Sequence, residues 1–113
     1  MTDSIFDTIK SMLGSDADYT VFDNDIIVFI NSAIATLTQV GIGPTEGFRI
    51  TGSGETWTDF LGDRVDMESV KEYIYLKVRI SFDPPSNSSV LSSYKEACKE
   101  LEWRLNVVSE EEY

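Results

Sequence analysis

Residues 66–85 read DMESVKEYIYLKVRISFDPP, and their spacing decides the fold. Val70, Tyr73, Ile74, Lys77 and Val78 recur at three- and four-residue steps, the period of one helix face. Leu76 and Ile80 widen that face, which predicts a helix packed on more than one side. Asp66 is placed to cap the first turn. Glu68 and Glu72 come early and Lys77 and Arg79 late, the order the helix dipole favours. Lys77 and Arg79 can lay their methylene stems on apolar surface and keep their charges wet. Pro84 pushes Asp83 out of the helical region and Pro85 prevents recovery. The chain must turn there, and the next helix must return along this one.

That next pattern spans residues 88–106. Val90, Leu91, Tyr94, Ala97, Cys98, Leu101 and Leu105 form its stripe, and Trp103 sits off it. Lys95, Glu96, Lys99, Glu100, Glu102 and Arg104 cover the other face. The Glu100–Arg104 and Lys95–Lys99 spacings have opposite effects on an isolated helix. Working back toward the N-terminus, Thr56 caps a helical turn WTDFLG in which Trp57, Phe60 and Leu61 point inward and Asp59 follows at the capping-box spacing. Residues 41–56 carry five glycines and Pro44. Phe48 and Ile50 flank Arg49 in a brief alternation, so a short strand or hairpin arm is open there. Before it, Asp23 or Asn24 caps a long pattern in which Ile26, Ile30, Ala33, Ile34 and Leu37 line one face. Its β-branched residues keep strand open for residues 26–30, but its length and spacing predict helix. Residues 3–13 form a short amphipathic helix capped by Asp3 or Ser4, with Ile5, Phe6, Ile9, Met12 and Leu13 on its face and Gly14 ending it.

The expected fold is therefore mainly α: a small four-helix bundle-like domain. A long Gly-rich loop, with room for a short β-hairpin, separates its second and third main helices. With 113 residues the chain suits one domain and one modest core. Net charge is −11, unevenly spread. Residues 1–63 carry ten acids against Lys10 and Arg49, residues 64–109 balance seven against seven, and Glu110, Glu111 and Glu112 follow. Such a chain lacks the basic patch of a nucleic-acid binder held by phosphate contacts. One cysteine permits no internal disulfide. No signal peptide and no membrane span is expected.

No catalytic residue, cofactor or metal is expected either. The chain has no histidine, the commonest base and transition-metal ligand. Cys98 lies on an apolar stripe and reads as a small core hydrophobe. Asp16, Asp18, Asp23 and Asp25 fail the EF-hand pattern, since Val21 and Ile27 fall where glycine and glutamate are required. The glycines match no phosphate-binding loop. Asp59, Asp63 and Asp66 read as caps and turn residues. The aromatics exceed what one small core must hide, so some are expected to face partner chains.

The Trp57–Asp63 turn WTDFLGD, the helix core YIYLKVR at 73–79, FDPP at 82–85 and KELEWRLN at 99–106 together resemble the head–tail connector (head completion or adaptor) proteins of long-tailed bacteriophages. The resemblance implies a structural protein, not an enzyme. It implies a ring, expected to be twelve-fold, beneath the portal, extending the DNA channel and presenting a surface to the next connector, stopper or tail component. On that reading residues 1–106 form the connector domain and 107–113 an acidic tail. The loop and central helix supply subunit-interface candidates Phe48, Arg49, Ile50, Trp57, Tyr75 and Arg79. The C-terminal portal-docking candidates are Trp103, Val107, Val108, Glu110, Glu111 and Tyr113. Asp16, Asp18, Asp23 and Asp25 are candidates for the channel wall, where acid lets DNA slide without being gripped. Location would be the virion neck, reached from the host cytoplasm during assembly. A different class of reading is an acidic inhibitor that mimics DNA; its carboxylates would stand at phosphate-like spacing, whereas most acids here fall in loops and caps.

Overall fold

The computed structural model describes residues 4–14, 16, 18–62 and 67–111, the side chains of 67 and 108–111 excepted. Five helices follow in order: α1 (Ile5–Met12), α2 (Asp23–Gln39), α3 (Trp57–Leu61), α4 (Met67–Phe82) and α5 (Ser88–Glu111). The Asp66 cap and the Asp63 turn lie outside the described residues.

α4 is the middle element. The Tyr73 hydroxyl donates to Glu102 at 2.7 Å, and the Arg79 guanidinium lies 6.0 Å over the Tyr94 ring. Contacts at 73–102 and 79–94 fix an antiparallel α4–α5 pair, as the Pro-Pro stop requires. On its other flank, Phe82 at the end of α4 meets Phe22 and Phe29 near the start of α2. α2 is thus antiparallel to α4 as well, and Asn106 of α5 donates to the carbonyl of Val40, just past the end of α2. The three long helices form a slab, and α1 packs across α2 and α4. The molecule measures 41 × 35 × 23 Å.

Burial follows the sequence stripes closely. Ile26, Ile30, Ala33, Ile34 and Leu37 of α2 are all in the core. So are Val70, Tyr73, Ile74, Leu76 and Val78 of α4, the one helix with neighbours on both flanks. Residues 26–30 are helical, not extended. α5 buries Cys98, Leu101 and Leu105, whereas Val90 is exposed. The 73–102 register explains this, because Val90 lies beyond the end of α4 and has nothing to pack on. At its other end α5 continues helical past residue 106 through Glu111. At about 36 Å it overhangs α4, which is about 24 Å long.

Three local expectations are corrected. First, neither Asp23 nor Asn24 caps α2. Phe22 holds the cap position without a side-chain bond, and Asp23 sits inside the helix, its carboxylate 2.8 Å from the Lys10 ammonium. Second, α1 buries Lys10 rather than Met12, which is exposed. The Asp23 partner and the Phe6 ring, 5.6 Å from the ammonium, make that burial tolerable. Third, no strand or hairpin forms among the described residues; Ser4 and Thr56 make an isolated antiparallel bridge. Ile50 has no strand partner because one side chain takes both of its backbone groups. Asn31 accepts from the Ile50 N–H at 2.7 Å and donates to the Ile50 carbonyl at 2.9 Å.

Glycine ends α2. Gly41 takes φ 93°, its N–H reaches the Thr38 carbonyl, and the Ile42 N–H reaches Leu37, a Schellman close that turns Ile42 into the core. Ser4 caps α1 by accepting from Asp7 at 3.2 Å. Thr56 and Asp59 make the expected capping box for α3.

Candidate functional site

The residues singled out from the sequence fall into three groups in space. The first is the loop that crosses from α2 to α3. Phe48 stacks on Phe60 with ring centroids 5.0 Å apart, and Phe60 itself is buried against Gly43. Ile50 and Trp57 are 0% and 2% exposed. They belong to this chain's own core. The Trp57 indole donates to Thr8 at 3.1 Å, and the Ile5 N–H donates to the Glu55 carbonyl, which ties the start of α3 to α1. The Glu55 carboxylate accepts from the Thr51 amide and hydroxyl at 3.1 and 2.8 Å. Burial would raise its pKa, but these bonds from Thr51, with those from the Glu55 and Gly52 amides, outweigh burial and lower it. The second half of the loop is therefore a wired turn, with Arg49 exposed on its outside.

The second group is on α4. Tyr75 and Arg79 are half-buried one turn apart, and the guanidinium donates to the Tyr75 hydroxyl at 3.2 Å. Arg79 also donates to the Asp83 carbonyl at 2.6 Å, which closes the end of the helix before the Pro-Pro turn. The third is on α5, where Trp103 is 68% exposed. Val107 is half-buried, while Tyr113 and the side chains of Val108, Glu110 and Glu111 lie outside the described residues.

Of the acids, Asp16, Asp18 and Asp25 are exposed, and Asp23 is held by Lys10. Among the described residues no group of three or more His, Cys, Asp or Glu side chains is placed to hold a metal. Cys98 is buried, and that burial pushes its thiol up, away from the reactive thiolate. No described helix is long and apolar enough to cross a membrane.

Two surfaces escaped the sequence reading. Tyr19, Val21, Phe22 and Val28 leave large apolar area exposed around the entry to α2. A cleft between α4 and α5 is lined by Lys77, Ile80, Ser81, Lys95, Cys98, Lys99 and Glu102. The signal for the cleft was present in the Lys95–Lys99 repeat at four-residue spacing. Only the antiparallel register adds Lys77 to it.

The geometry is that of a helical slab with exposed aromatics. A model of the phage connector protein family matches residues 5–112. The chain belongs to that family. The match covers α1 through α5 entire, including the α4–α5 pair and the crossing loop. No curated protein and no solved structure matches it. Phage connectors are structural proteins of the neck.

Proposed function

We propose that this connector assembles as a ring, expected to be twelve-fold, beneath the portal, extends the DNA channel and joins the head to the next connector, stopper or tail component. The observation that carries the reading is the family match across residues 5–112. The exposed aromatics and the acid excess support it. Phe48 and Arg49 on the crossing loop, with Tyr75 and Arg79 on α4, supply subunit contacts. Trp103 and the end of α5 dock on the portal; an exposed tryptophan is the side chain most often found at the energetic centre of an interface. DNA passes without sequence-specific binding, because a chain of net charge −11 repels phosphates rather than holding them. The protein works in the virion neck after assembly in the host cytoplasm.

Electron microscopy of the chain incubated with portal rings of the same phage tests this. Added ring density beneath the portal is the expected result, and portals that stay bare at saturating protein refute it. Reversing acids of the channel wall should slow DNA ejection; unchanged ejection would place those acids elsewhere.

A further inference from the structure

The cleft between α4 and α5 has a volume of about 360 Å³. Lys77, Lys95 and Lys99 converge on it in a chain whose net charge is −11. Elsewhere Lys10, Lys71, Arg79 and Arg104 each hold a carboxylate. Among the described residues no carboxylate pairs with these three. Lys77 lies 6.0 Å over the Tyr73 ring. Lys95 and Lys99 are one turn apart, a like-charge spacing that destabilises an isolated helix. The one acid of the cleft, Glu102, is engaged inward by the Tyr73 hydroxyl. Ile80 and Cys98 supply apolar lining between the cations. Unpaired ammonium groups around an apolar trough suit an acidic segment that also carries exposed apolar side chains.

The chain itself presents such a segment. Asp16 and Asp18 are exposed beside Tyr19, which is 50% exposed, and Val21, which is 68% exposed. Tyr19 packs on Phe22 and Phe22 on Phe82, with centroids 5.9 and 5.3 Å apart. The segment is therefore anchored on the α2 flank of α4, while the cleft opens on the α5 flank. We propose that the cleft receives Asp16, Asp18, Tyr19 and Val21 of a second copy, the carboxylates meeting Lys77, Lys95 and Lys99. Two different surfaces meet in this contact, so it is head-to-tail and repeats around a ring. It rests on the ring reading above, whose subunits it joins. It also takes Asp16 and Asp18 out of the channel wall and leaves Asp25 there.

Zero-length carbodiimide coupling joins a lysine amine to a carboxylate it touches. The test applies it to the full chain at high concentration, with natural-abundance and nitrogen-15 copies mixed so that links between copies are distinguished by mass. The expected product is a link between copies from Lys77, Lys95 or Lys99 to Asp16 or Asp18. K95E/K99E and D16K/D18K should each weaken self-association by at least about tenfold. The variant carrying all four substitutions should recover it. Mixing the two double variants should recover it as well, in strict alternation, because the native segment of one meets the native cleft of the other and the reversed segment meets the reversed cleft. Circular dichroism confirms that each surface variant is folded. Links to other acids, failure of the four-fold variant to recover, or absence of any link between copies each overturn the contact. The portal-binding image decides the ring reading separately: a ring that forms with K95E/K99E refutes the cleft and leaves the ring standing.

Discussion

Replacing Asn31 by Ala isolates the device that holds the Gly-rich loop on the slab. The Asn31 amide makes two hydrogen bonds, at 2.7 and 2.9 Å, to the backbone of Ile50, whose side chain is fully buried. Asn31→Ala removes both and strands one N–H and one carbonyl. An unmade bond at a buried group costs about 1–3 kcal/mol, so two groups with some relaxation toward water cost about 3 kcal/mol. Total stabilities of such domains are about 5–15 kcal/mol, so the loss is large. With an unfolding entropy of about 2.1 cal/mol/K per residue, the Tm should fall by about 12 °C. Urea titration followed by circular dichroism and tryptophan fluorescence measures it, with the midpoint shifting and the slope unchanged. Asn31→Asp is the control. It keeps an acceptor for the Ile50 N–H but sets a carboxylate oxygen against the Ile50 carbonyl. It should be at least as damaging at pH 7 and recover in part below about pH 4, where the carboxyl can donate. A loss under about 0.5 kcal/mol for Asn31→Ala, with protease susceptibility of residues 41–56 unchanged, would refute the reasoning and show that packing alone holds the loop.

Gly43 takes φ 86°, and a Cβ there would lie 2.4 Å from Cε1 of Phe60, so Gly43→Ala should cost about 2–4 kcal/mol by the same titration. Asp23→Ala removes the 2.8 Å hydrogen bond and ion pair of the buried Lys10 ammonium; a loss of about 2 kcal/mol is expected, and Lys10→Met with Asp23→Ala together should recover part of it. Burial, then the hydrogen bond and charge of Glu102, push Tyr73 well above its ordinary 10.0, and burial pushes Cys98 above 9.0. The folded chain keeps both protons where the unfolded chain releases them. Stability is therefore full below about pH 9 and falls as pH rises, each group adding a slope of about 1.4 kcal/mol per pH unit above its unfolded value. Tyr73→Phe should flatten that slope above pH 10 in urea titrations across pH. Trp103→Ala should leave Tm within about 2 °C of the parent, since the ring is 68% exposed, yet weaken portal binding in a pull-down by at least about tenfold.

Helices were legible in the sequence because the signals are local. Three-four spacing, the Thr56–Asp59 capping box, the Gly41 close and the Pro84-Pro85 stop each act within one or two turns of the chain. The central place of α4 was legible too, because only a helix packed on two flanks carries so wide an apolar face. Family resemblance rested on the same local segments, and the match across residues 5–112 agrees with it. What the tertiary structure decided was everything that depends on a distant partner. Lys10 is buried because Asp23, thirteen residues on, comes to meet it. Phe48 and Ile50 form no strand because Phe60 and Asn31 claim them first. Trp57 and Ile50 are in the core because the loop folds inward over α2 and α1. The lysine cleft exists only through the antiparallel register of α4 and α5, a relation that spacing along one helix does not contain.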